Sequence, residues 1–422
     1  MNIDILHGTV VDPAVGSSGV RDIWIRNGRI AASPEGQADR TLDAAGLIVM
    51  PGMVDAHCHL RDPGFTYKED IATGTASAAR GGYTSVACMA NTLPVCDNPA
   101  VVGYIRSKAA RVGAVNVFPI GAASKNLEGK ELAEIGLMAE EGIVAVSDDG
   151  KPVASADFMR KVMLYASDFG LTVISHCEDP TLSDGAVNEG GLSTRMGLRG
   201  VPSVSEEVMV ARDVLLAEYL GLPVHIAHVS TAGSVRIVRE AKSRGVRVTC
   251  ETCPHYFVLT EEACAGYNTL AKVNPPLRSE ADRLAVIAGI ADGTIDMIVT
   301  DHAPHHEDEK LIEFSLAANG FIGFESALPL ILEHLVRPGV ISLERMAELT
   351  ASNPSALLHL DRGTLQPGRP ADIVVADPEE EWVFDRYGTA SRSANSPFHG
   401  MPMRGRARWT IVSGEVAYEP VR

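Results

Sequence analysis

The chain has 422 residues, with 37 Lys and Arg against 54 Asp and Glu, so its formal net charge is −17. Such an acidic chain is a poor partner for nucleic acid or an anionic membrane, because both attract basic surfaces. Hydrophobic residues make up 45% of the chain, which excludes a disordered protein, and no apolar run approaches the roughly 20 residues of a membrane helix.

The N-terminus and the cysteines indicate a cytoplasmic protein. The first residues lack the basic and apolar regions of a secretory signal. Seven cysteines are an odd number in a long chain, so they do not form a disulfide framework and fit a reducing compartment. Cys250 and Cys253 form a CxxC pair, but no second pair follows at zinc-ribbon spacing. The pair is therefore only a weak indication of structural zinc or redox chemistry.

Both ends of the chain have the pattern of short β-strands. Residues 3–25 alternate apolar and polar side chains between turn signals such as Asn27-Gly28, and residues 371–375 and 409–414 behave alike. Neither end is long enough to bury a core alone. We therefore predict one small β-sandwich domain built from both termini, residues 1–51 and 366–422.

Between these ends, short apolar runs alternate with amphipathic, Ala-rich stretches. The runs are Leu47–His59, Thr84–Asn91, Val115–Ala122, Ile143–Asp149, Leu171–His176, Pro223–His228, Val246–Thr252 and Ile295–Asp301. The helix-like stretches include Ile71–Arg80, Ser155–Phe169, Ser205–Leu220, Thr231–Arg244 and Glu280–Ala291. Eight such units predict an α/β fold, a (β/α)8 TIM-like barrel over residues 52–365. A doubly wound open sheet is the competing architecture, but its site would lie at one switch point rather than over many strands.

Ligand-type side chains stand at the ends of five of these runs. They are His57, His59, Asp149, His176, His228 and Asp301. A single histidine at a strand end is more often a hydrogen-bonded structural residue. Four histidines and two carboxylates at the same end of parallel strands indicate a metal site instead, because the C-terminal ends of barrel strands converge. His57 and His59 are two residues apart, so on a strand they face the same side.

The number of ligands also bears on how many metals bind. One catalytic zinc needs three protein ligands and an open position, so six ligands suit two metals that share a carboxylate and a bridging hydroxide. Nitrogen and carboxylate ligands favour zinc, with manganese, cobalt or iron as alternatives. Asp301 is placed to accept a proton and return it to a leaving nitrogen.

Motifs along nearly the whole chain carry a family resemblance. They are residues 57–64 (HCHLRDPG), 67–71 (YKEDI), 81–84 (GGYT), 89–92 (MANT), 147–150 (SDDG), 176–179 (HCED), 225–231 (HIAHVST), 272–278 (KVNPPLR), 300–305 (TDHAPH), 368–373 (GRPADI) and 395–398 (NSPF). This set resembles the bacterial type I dihydroorotases of the amidohydrolase superfamily.

The resemblance implies a role for each ligand. His57 and His59 would bind the first metal and His176 and His228 the second, while Asp301 would be both a ligand and the catalytic base. Asp149 would bridge the two zinc ions together with a hydroxide. Lys151 is a rival bridging residue, because many relatives use a carboxylated lysine, although it lies beyond Gly150.

The resemblance also implies a substrate site. Arg61, Asn91 and His305 would bind the substrate carboxylate, which needs a guanidinium or several donors when buried. Asn274 would meet the ring amide, and the backbone at Asn319 and Gly320 would add contacts. We expect the remaining histidines near these motifs, His255, His302 and His306, not to bind metal.

The activity implied is a zinc-dependent, reversible cyclisation of N-carbamoyl-L-aspartate to L-dihydroorotate in pyrimidine biosynthesis. Other cyclic amidohydrolases, such as hydantoinase, dihydropyrimidinase or allantoinase, are alternatives, but their substrates lack the ring carboxylate that Arg61 and Asn91 would bind. A third hypothesis is that the protein is an inactive scaffold for a carbamoyltransferase. A homodimer and a partner aspartate carbamoyltransferase are left open by the resemblance.

Overall fold

The computed structural model describes residues 1–420; residues 421–422, at the end of the predicted C-terminal part, lie outside the described residues. The strands in chain order are β1 Ile3–Asp12, β2 Ser17–Arg26, β3 Arg29–Ala31, β4 Arg40–Asp43, β5 Ile48–Pro51, β6 Met53–Cys58, β7 Tyr83–Cys88, β8 Asn116–Pro119, β9 Val173–Ser175, β10 Val187–Asn188, β11 Gly200–Val201, β12 Val224–Ile226, β13 Val248–Thr252, β14 Met297–Ile298, β15 Ile373–Val383, β16 Pro402–Val412 and β17 Glu415–Tyr418.

The α-helices are α1 Ile71–Arg80, α2 Pro99–Val112, α3 Ile135–Glu141, α4 Ala156–Ser167, α5 Gly191–Met196, α6 Val204–Leu220, α7 Ala232–Ser243, α8 Pro254–Val258, α9 Glu280–Ala291, α10 Glu307–Lys310, α11 Phe324–Ile331, α12 Leu343–Ala347 and α13 Asn353–Leu357. Helical turns of other pitch occupy Lys125–Leu127, Glu261–Tyr267, Thr269–Ala271, Leu332–Val336 and Glu348–Ser352. Across the described residues, no helix is long and apolar enough to cross a membrane.

The strands of the two ends form one eight-stranded sheet, in the order β17-β16-β15-β5-β1-β2-β3 with β4 on β1. β5 joins the two ends, because it pairs parallel with β1 and antiparallel with β15. Side chains alternate between the two faces of a strand. Val49 accordingly packs in a core formed by this sheet, whereas its neighbours Ile48 and Met50 pack in the barrel core.

The middle of the chain closes into a parallel barrel, which confirms the predicted (β/α)8 fold. β6, β7 and β8 pair in one group, and β9, β12, β13 and β14 pair in another. Val146 connects the two groups through bridges to Gly121 and Val173, and a bridge between Cys58 and His302 closes the ring.

Two of the predicted barrel strands differ from the prediction. The run Leu47–His59 is wrong as one strand, because it divides at Gly52 into β5 of the terminal sheet and β6 of the barrel. A side chain at position 52 would lie only 2.1 Å from Cγ2 of Thr84, so the chain crosses between the two layers where it has none. The run Ile143–Asp149 contributes only the bridges at Val146 rather than a regular strand.

The helices agree closely with the sequence patterns. α1 and α9 have the predicted bounds, and α4 and α7 begin one residue later than predicted. The predicted first residues are their N-caps: Ser155 Oγ accepts a hydrogen bond from the Phe158 N–H, and Thr231 Oγ1 accepts one from the Ser234 N–H. Ser and Thr at this position satisfy amide donors that the helix leaves unpaired. In a (β/α)8 barrel such helices surround the strands, and the C-terminal ends of the strands meet at one mouth.

Candidate metal centre

Asp149 lies at the centre of four histidines at this mouth. His57 is the penultimate residue of β6 and His59 follows the strand. Their Nε2 atoms lie 3.4 Å from Asp149 Oδ1 and 3.5 Å from Asp149 Oδ2, respectively. His176 follows β9 with Nδ1 3.5 Å from Asp149 Oδ1, and His228 follows β12 with Nε2 3.3 Å from the same oxygen. All five side chains are buried.

These side chains form two groups that could each hold a metal ion. One consists of His57, His59 and Asp149, and the other of Asp149, His176 and His228; within each group the ligand atoms lie within 4.8 Å of one another. Asp149 belongs to both groups. A carboxylate can offer one oxygen to each of two metals, so the arrangement suits a bridged pair.

Asp301, three residues after the end of β14, completes the centre. Its Oδ1 lies 3.1 Å from His59 Nε2 and 3.7 Å from His57 Nε2. Its backbone has φ of 45°, in the left-handed region that non-glycine residues rarely adopt. Such strain occurs most often at functional sites.

The electrostatics of the centre fit a cation. Nδ1 of His57 lies 2.6 Å from Glu251 Oε1, while its buried Nε2 has no hydrogen-bond partner among the described residues. If Nδ1–H donates to Glu251, Nε2 presents a lone pair toward the carboxylates of Asp149 and Asp301. A lone pair and two carboxylates repel one another unless a positive charge lies between them. The donor set therefore fits a divalent metal.

Protons and metal ions compete for this centre. Burial lowers the pKa of His57, but the carboxylates of Asp149 and Glu251 raise it well above its ordinary value. Burial also opposes the protonation of His176, yet Asp149 and Glu178 raise its pKa to about 10. Metal binding displaces such protons because a histidine ligand must be neutral.

Glu251 was missed by the sequence analysis. Its two oxygens lie 2.6 Å from Nδ1 of His57 and 3.0 Å from Nε2 of His225, and its side chain is fully buried. Burial raises the pKa of Glu251, but the nearby charge of His57 and the hydrogen bonds of both histidines lower it to about 2. Glu251 stands near the C-terminal end of the apolar run Val246–Thr252, and this position at a predicted strand end could have identified it as a site residue.

Glu178 was also missed, although it lies two residues after His176. Its Oε2 lies 3.1 Å from His176 Nε2 and accepts a hydrogen bond from Asn274 Nδ2 at 3.1 Å. With Nε2 bound to this carboxylate, Nδ1 of His176 is the nitrogen that faces Asp149. Glu178 therefore connects a histidine of the metal centre with an amide of the cavity beside it.

The cavity next to the metal centre has a volume of about 200 Å³. The sequence-predicted residues that line it are His59, Arg61, Asn91, Asp149, His176, His228, Asn274, Asp301, His305, Asn319 and Gly320. His57 lies deeper and does not line it. The structure thus brings the metal-type and substrate-type residues together around one space.

Arg61 and His305 form the basic end of this cavity. Arg61 donates from Nε to the Pro304 carbonyl at 3.2 Å, and its Nη2 lies 3.3 Å from His305 Nε2. Burial lowers the pKa of His305 to about 4, so at neutral pH Arg61 rather than His305 carries the positive charge of this pair. An arginine keeps its charge even when buried.

Several residues of the predicted substrate site are also held by the protein. Asn91 Oδ1 lies 2.9 Å from Nδ1 of His59, so Asn91 orients that ring. The Asn319 carbonyl lies 2.8 Å from His305 Nε2, and the Gly320 N–H donates to the Lys272 carbonyl. Gly320 has φ of 119°, and a Cβ there would lie 2.6 Å from the Ala303 Cβ. Both residues line the cavity, and these backbone groups already have hydrogen-bond partners within the protein.

The rival bridging residue lies elsewhere. Lys151 is exposed, and its N–H donates to the Asp148 carbonyl at 2.9 Å, because Gly150 (φ 81°) turns the chain away from the centre. The neighbouring Asp148 carboxylate accepts hydrogen bonds from the N–H groups of Ala123 and Ser124 at 2.8 and 3.0 Å and belongs to neither group of ligand atoms.

The remaining histidines and the CxxC pair belong to neither group of ligand atoms. His302 Nε2 lies 3.4 Å from Glu69 Oε2, and its ring stacks on Phe324. His255 packs against Phe321, and His306 is the exposed N-cap of α10. The cysteines of the CxxC pair are buried free thiols.

Known proteins similar to this chain were found at three levels: a family model, relatives in sequence and a solved structure. Residues 46–234 match a family model described as dihydro-orotase-like. A dihydroorotase of Acetivibrio thermocellus is 57% identical over 416 residues, 98% of each chain. A dihydroorotase of Citrifermentans bemidjiense is 53% identical, covering 99% of this chain and 100% of its own. The solved L-hydantoinase (dihydropyrimidinase) from Arthrobacter aurescens is 27% identical, with a TM-score of 0.90 over 100% of this chain and 97% of its own.

Proposed function

Because this chain belongs to the dihydroorotase family, we propose that it interconverts N-carbamoyl-L-aspartate and L-dihydroorotate. The family and the enzyme class predicted from the sequence, a cyclic amide hydrolase, are confirmed by relatives more than 50% identical over nearly the whole chain. The hydantoinase alternative has weaker support, since the similar hydantoinase is 27% identical. The scaffold alternative is not favoured either, because two complete groups of ligand atoms are present.

In this proposal the metal centre would take two zinc ions. His57, His59 and Asp301 would hold one ion and His176 and His228 the other, and Asp149 would be shared by both ligand groups. When bound, such a pair would supply an activated water and a Lewis acid for an amide carbonyl. The donor set supports zinc because it consists of imidazoles and carboxylates without a thiolate.

Asp301 is the catalytic base of the proposal. Burial raises the pKa of Asp301, but the hydrogen bond with His59 and the charges of His57 and His59 lower it below its ordinary value. The carboxylate is therefore ionised at neutral pH and can accept a proton. In ring opening it passes this proton to the departing ring nitrogen, and in ring closure it takes the proton from the carbamoyl nitrogen.

Arg61 gives the cavity its selectivity in the proposal. The dihydroorotate ring carries a carboxylate, which a guanidinium binds with two parallel hydrogen bonds. Asn91 and His305 complete this end, and Asn274, held by Glu178, faces the ring amide. Asn319 and Gly320 close the cavity wall with their backbone.

We also propose the chain division from the sequence patterns: a sheet domain of residues 1–51 and 366–422 and a catalytic barrel of residues 52–365. The shared sheet and its separate hydrophobic core support it. A cytoplasmic location, a homodimer and a carbamoyltransferase partner stay predictions from the sequence and its resemblance. Light scattering of the purified protein, alone and mixed with the carbamoyltransferase of the same organism, tests the last two.

The observation that carries the proposal is the arrangement of Asp301 and Arg61 around one cavity beside the two ligand groups. Metal-depleted protein is incubated with L-dihydroorotate, with and without zinc, and loss of the ring amide absorbance is followed. We expect ring opening only with zinc. Faster opening of hydantoin or dihydrouracil than of dihydroorotate would instead identify one of the related cyclic amidohydrolases.

A further inference from the structure

Two lysine side chains are buried near the cavity without a carboxylate partner. Lys272 is 6% exposed and Lys310 is 1% exposed. Among residues 1–420, neither ammonium group has a carboxylate oxygen within 4.0 Å. Lysine is almost never buried unless it is paired, because desolvating an ammonium group is costly. The proposed chemistry uses neither group.

Main-chain carbonyls solvate both ammonium groups instead. Lys272 Nζ donates to the carbonyls of Ser315 at 3.0 Å and Ala317 at 2.7 Å. Lys310 Nζ donates to the carbonyls of Lys272 at 3.1 Å and Ala318 at 2.6 Å. Three of these four carbonyls belong to residues 313–320, which we name the anchored segment.

The anchored segment ends at the cavity wall. The Asn319 carbonyl lies 2.8 Å from His305 Nε2, and the Gly320 N–H donates to the Lys272 carbonyl at 2.9 Å. The outer part of the segment is open to solvent, with Leu316 68% exposed. The two lysines therefore hold the segment from its buried side, together with Asn395, whose Nδ2 donates to the Gly320 carbonyl at 3.1 Å. Lys272 is also two residues from Asn274, so the same contacts join two sides of the cavity.

We infer that Lys272 and Lys310 are positioning residues that hold the anchored segment in place and thereby set the affinity of the cavity for its cyclic carboxylate substrate. Lys310 acts through the Ala318 carbonyl on the neighbouring Asn319, which in turn orients His305 beside Arg61. Neither lysine lines the cavity, so neither takes part in the reaction. The inference rests on the proposed function, because the substrate is the one named there.

The test variant is Lys310→Met, which keeps the length of the side chain and removes its donors. Loss of two hydrogen bonds to carbonyls loosens the segment, so we expect KM for L-dihydroorotate to rise about tenfold with kcat within about twofold. Hydrogen exchange of residues 313–320 should become faster in the same protein, measured with zinc bound and without substrate.

The matched control is Lys242→Met. Lys242 Nζ also binds a main-chain carbonyl, that of Thr294 at 2.8 Å, but it lies at the C-terminal end of α7 and pairs with Asp296. We expect this variant to lose stability and keep its KM. If Lys310→Met does not fold, Leu316→Gly loosens the segment at an exposed position and should raise KM in the same way.

The outcomes separate the two proposals. If the wild type is active and the folded Lys310→Met variant has an unchanged KM, the positioning role is overturned. A variant with lowered kcat at constant KM overturns it as well. Unchanged exchange of the segment overturns it as well. Wild-type protein that opens no dihydroorotate ring in the presence of zinc refutes the proposed function, and the substrate part of this inference with it.

Discussion

Oε1 of Glu251 lies 2.6 Å from Nδ1 of His57, a residue of the candidate metal centre, and both side chains are fully buried. A carboxylate behind a metal-binding histidine selects its tautomer and turns its other nitrogen toward the metal. Because the other Glu251 oxygen binds His225, this orientation is set by the barrel interior rather than by the metal.

Replacing Glu251 by Gln should weaken metal binding. Glutamine has one acceptor and one donor in place of two acceptors, so it cannot accept from both histidines. We expect the affinity for zinc to fall about 10- to 100-fold, measured by competition with a chromophoric chelator. Glu325→Gln, at a buried carboxylate near Arg80, is the control and should bind zinc normally. Equal zinc affinity in the two variants would show that Glu251 does not orient His57.

Replacing Asp301 by Asn should abolish turnover by removing the proton acceptor. We expect kcat to fall by at least about 100-fold, as for the loss of a general base. Zinc content and circular dichroism are measured on the same sample, since Asp301 is also a proposed ligand. Asp296→Asn, at a carboxylate paired with Lys242, should remain active. Substantial turnover by Asp301→Asn would assign the base to another residue.

Replacing Arg61 by Met should change selectivity. A hydrogen bond to a charged group contributes about 1.5–3 kcal/mol, so kcat/KM for L-dihydroorotate should fall about 10- to 100-fold. Dihydrouracil lacks the ring carboxylate, so the rate measured with it should be the same for the variant and the wild type. Arg111→Met, at an exposed position of α2, controls for loss of a positive charge. An equal fall in kcat/KM for both substrates would mean that Arg61 stabilises the fold and does not bind the carboxylate.

The buried lysines predict a pH dependence of stability. Burial, together with the charge of Lys272, lowers the pKa of Lys310 from 10.5 to about 7. Between these values the unfolded chain binds one more proton than the folded one, so this group makes stability rise with pH, by up to about 1.4 kcal/mol per pH unit. The urea midpoint of wild type should therefore increase relative to that of Lys310→Met from pH 7 to pH 9. A constant or shrinking difference would contradict the lowered pKa.

The local pattern of the sequence was enough to predict the barrel and to single out the polar side chains that meet at its mouth. Apolar runs followed by polar residues mark strand ends, and the two-residue spacing of His57 and His59 puts both on one face. The prediction of α1 was accurate to the residue because its amphipathic period is a property of consecutive residues. Sequence resemblance then predicted Asp149 rather than Lys151 as the shared ligand, and the structure places Asp149 in both ligand groups.

The tertiary structure alone decided which distant residues support the site. Glu251 is 194 positions from His57, and only closure of the barrel brings them together. The division of one apolar run at Gly52 depends on the contact with Thr84, and the burial of Lys310 depends on carbonyls of a segment with no pattern of its own. Periodicity reports which side of an element is buried, whereas these contacts depend on which elements pack together, and that is set by the whole core.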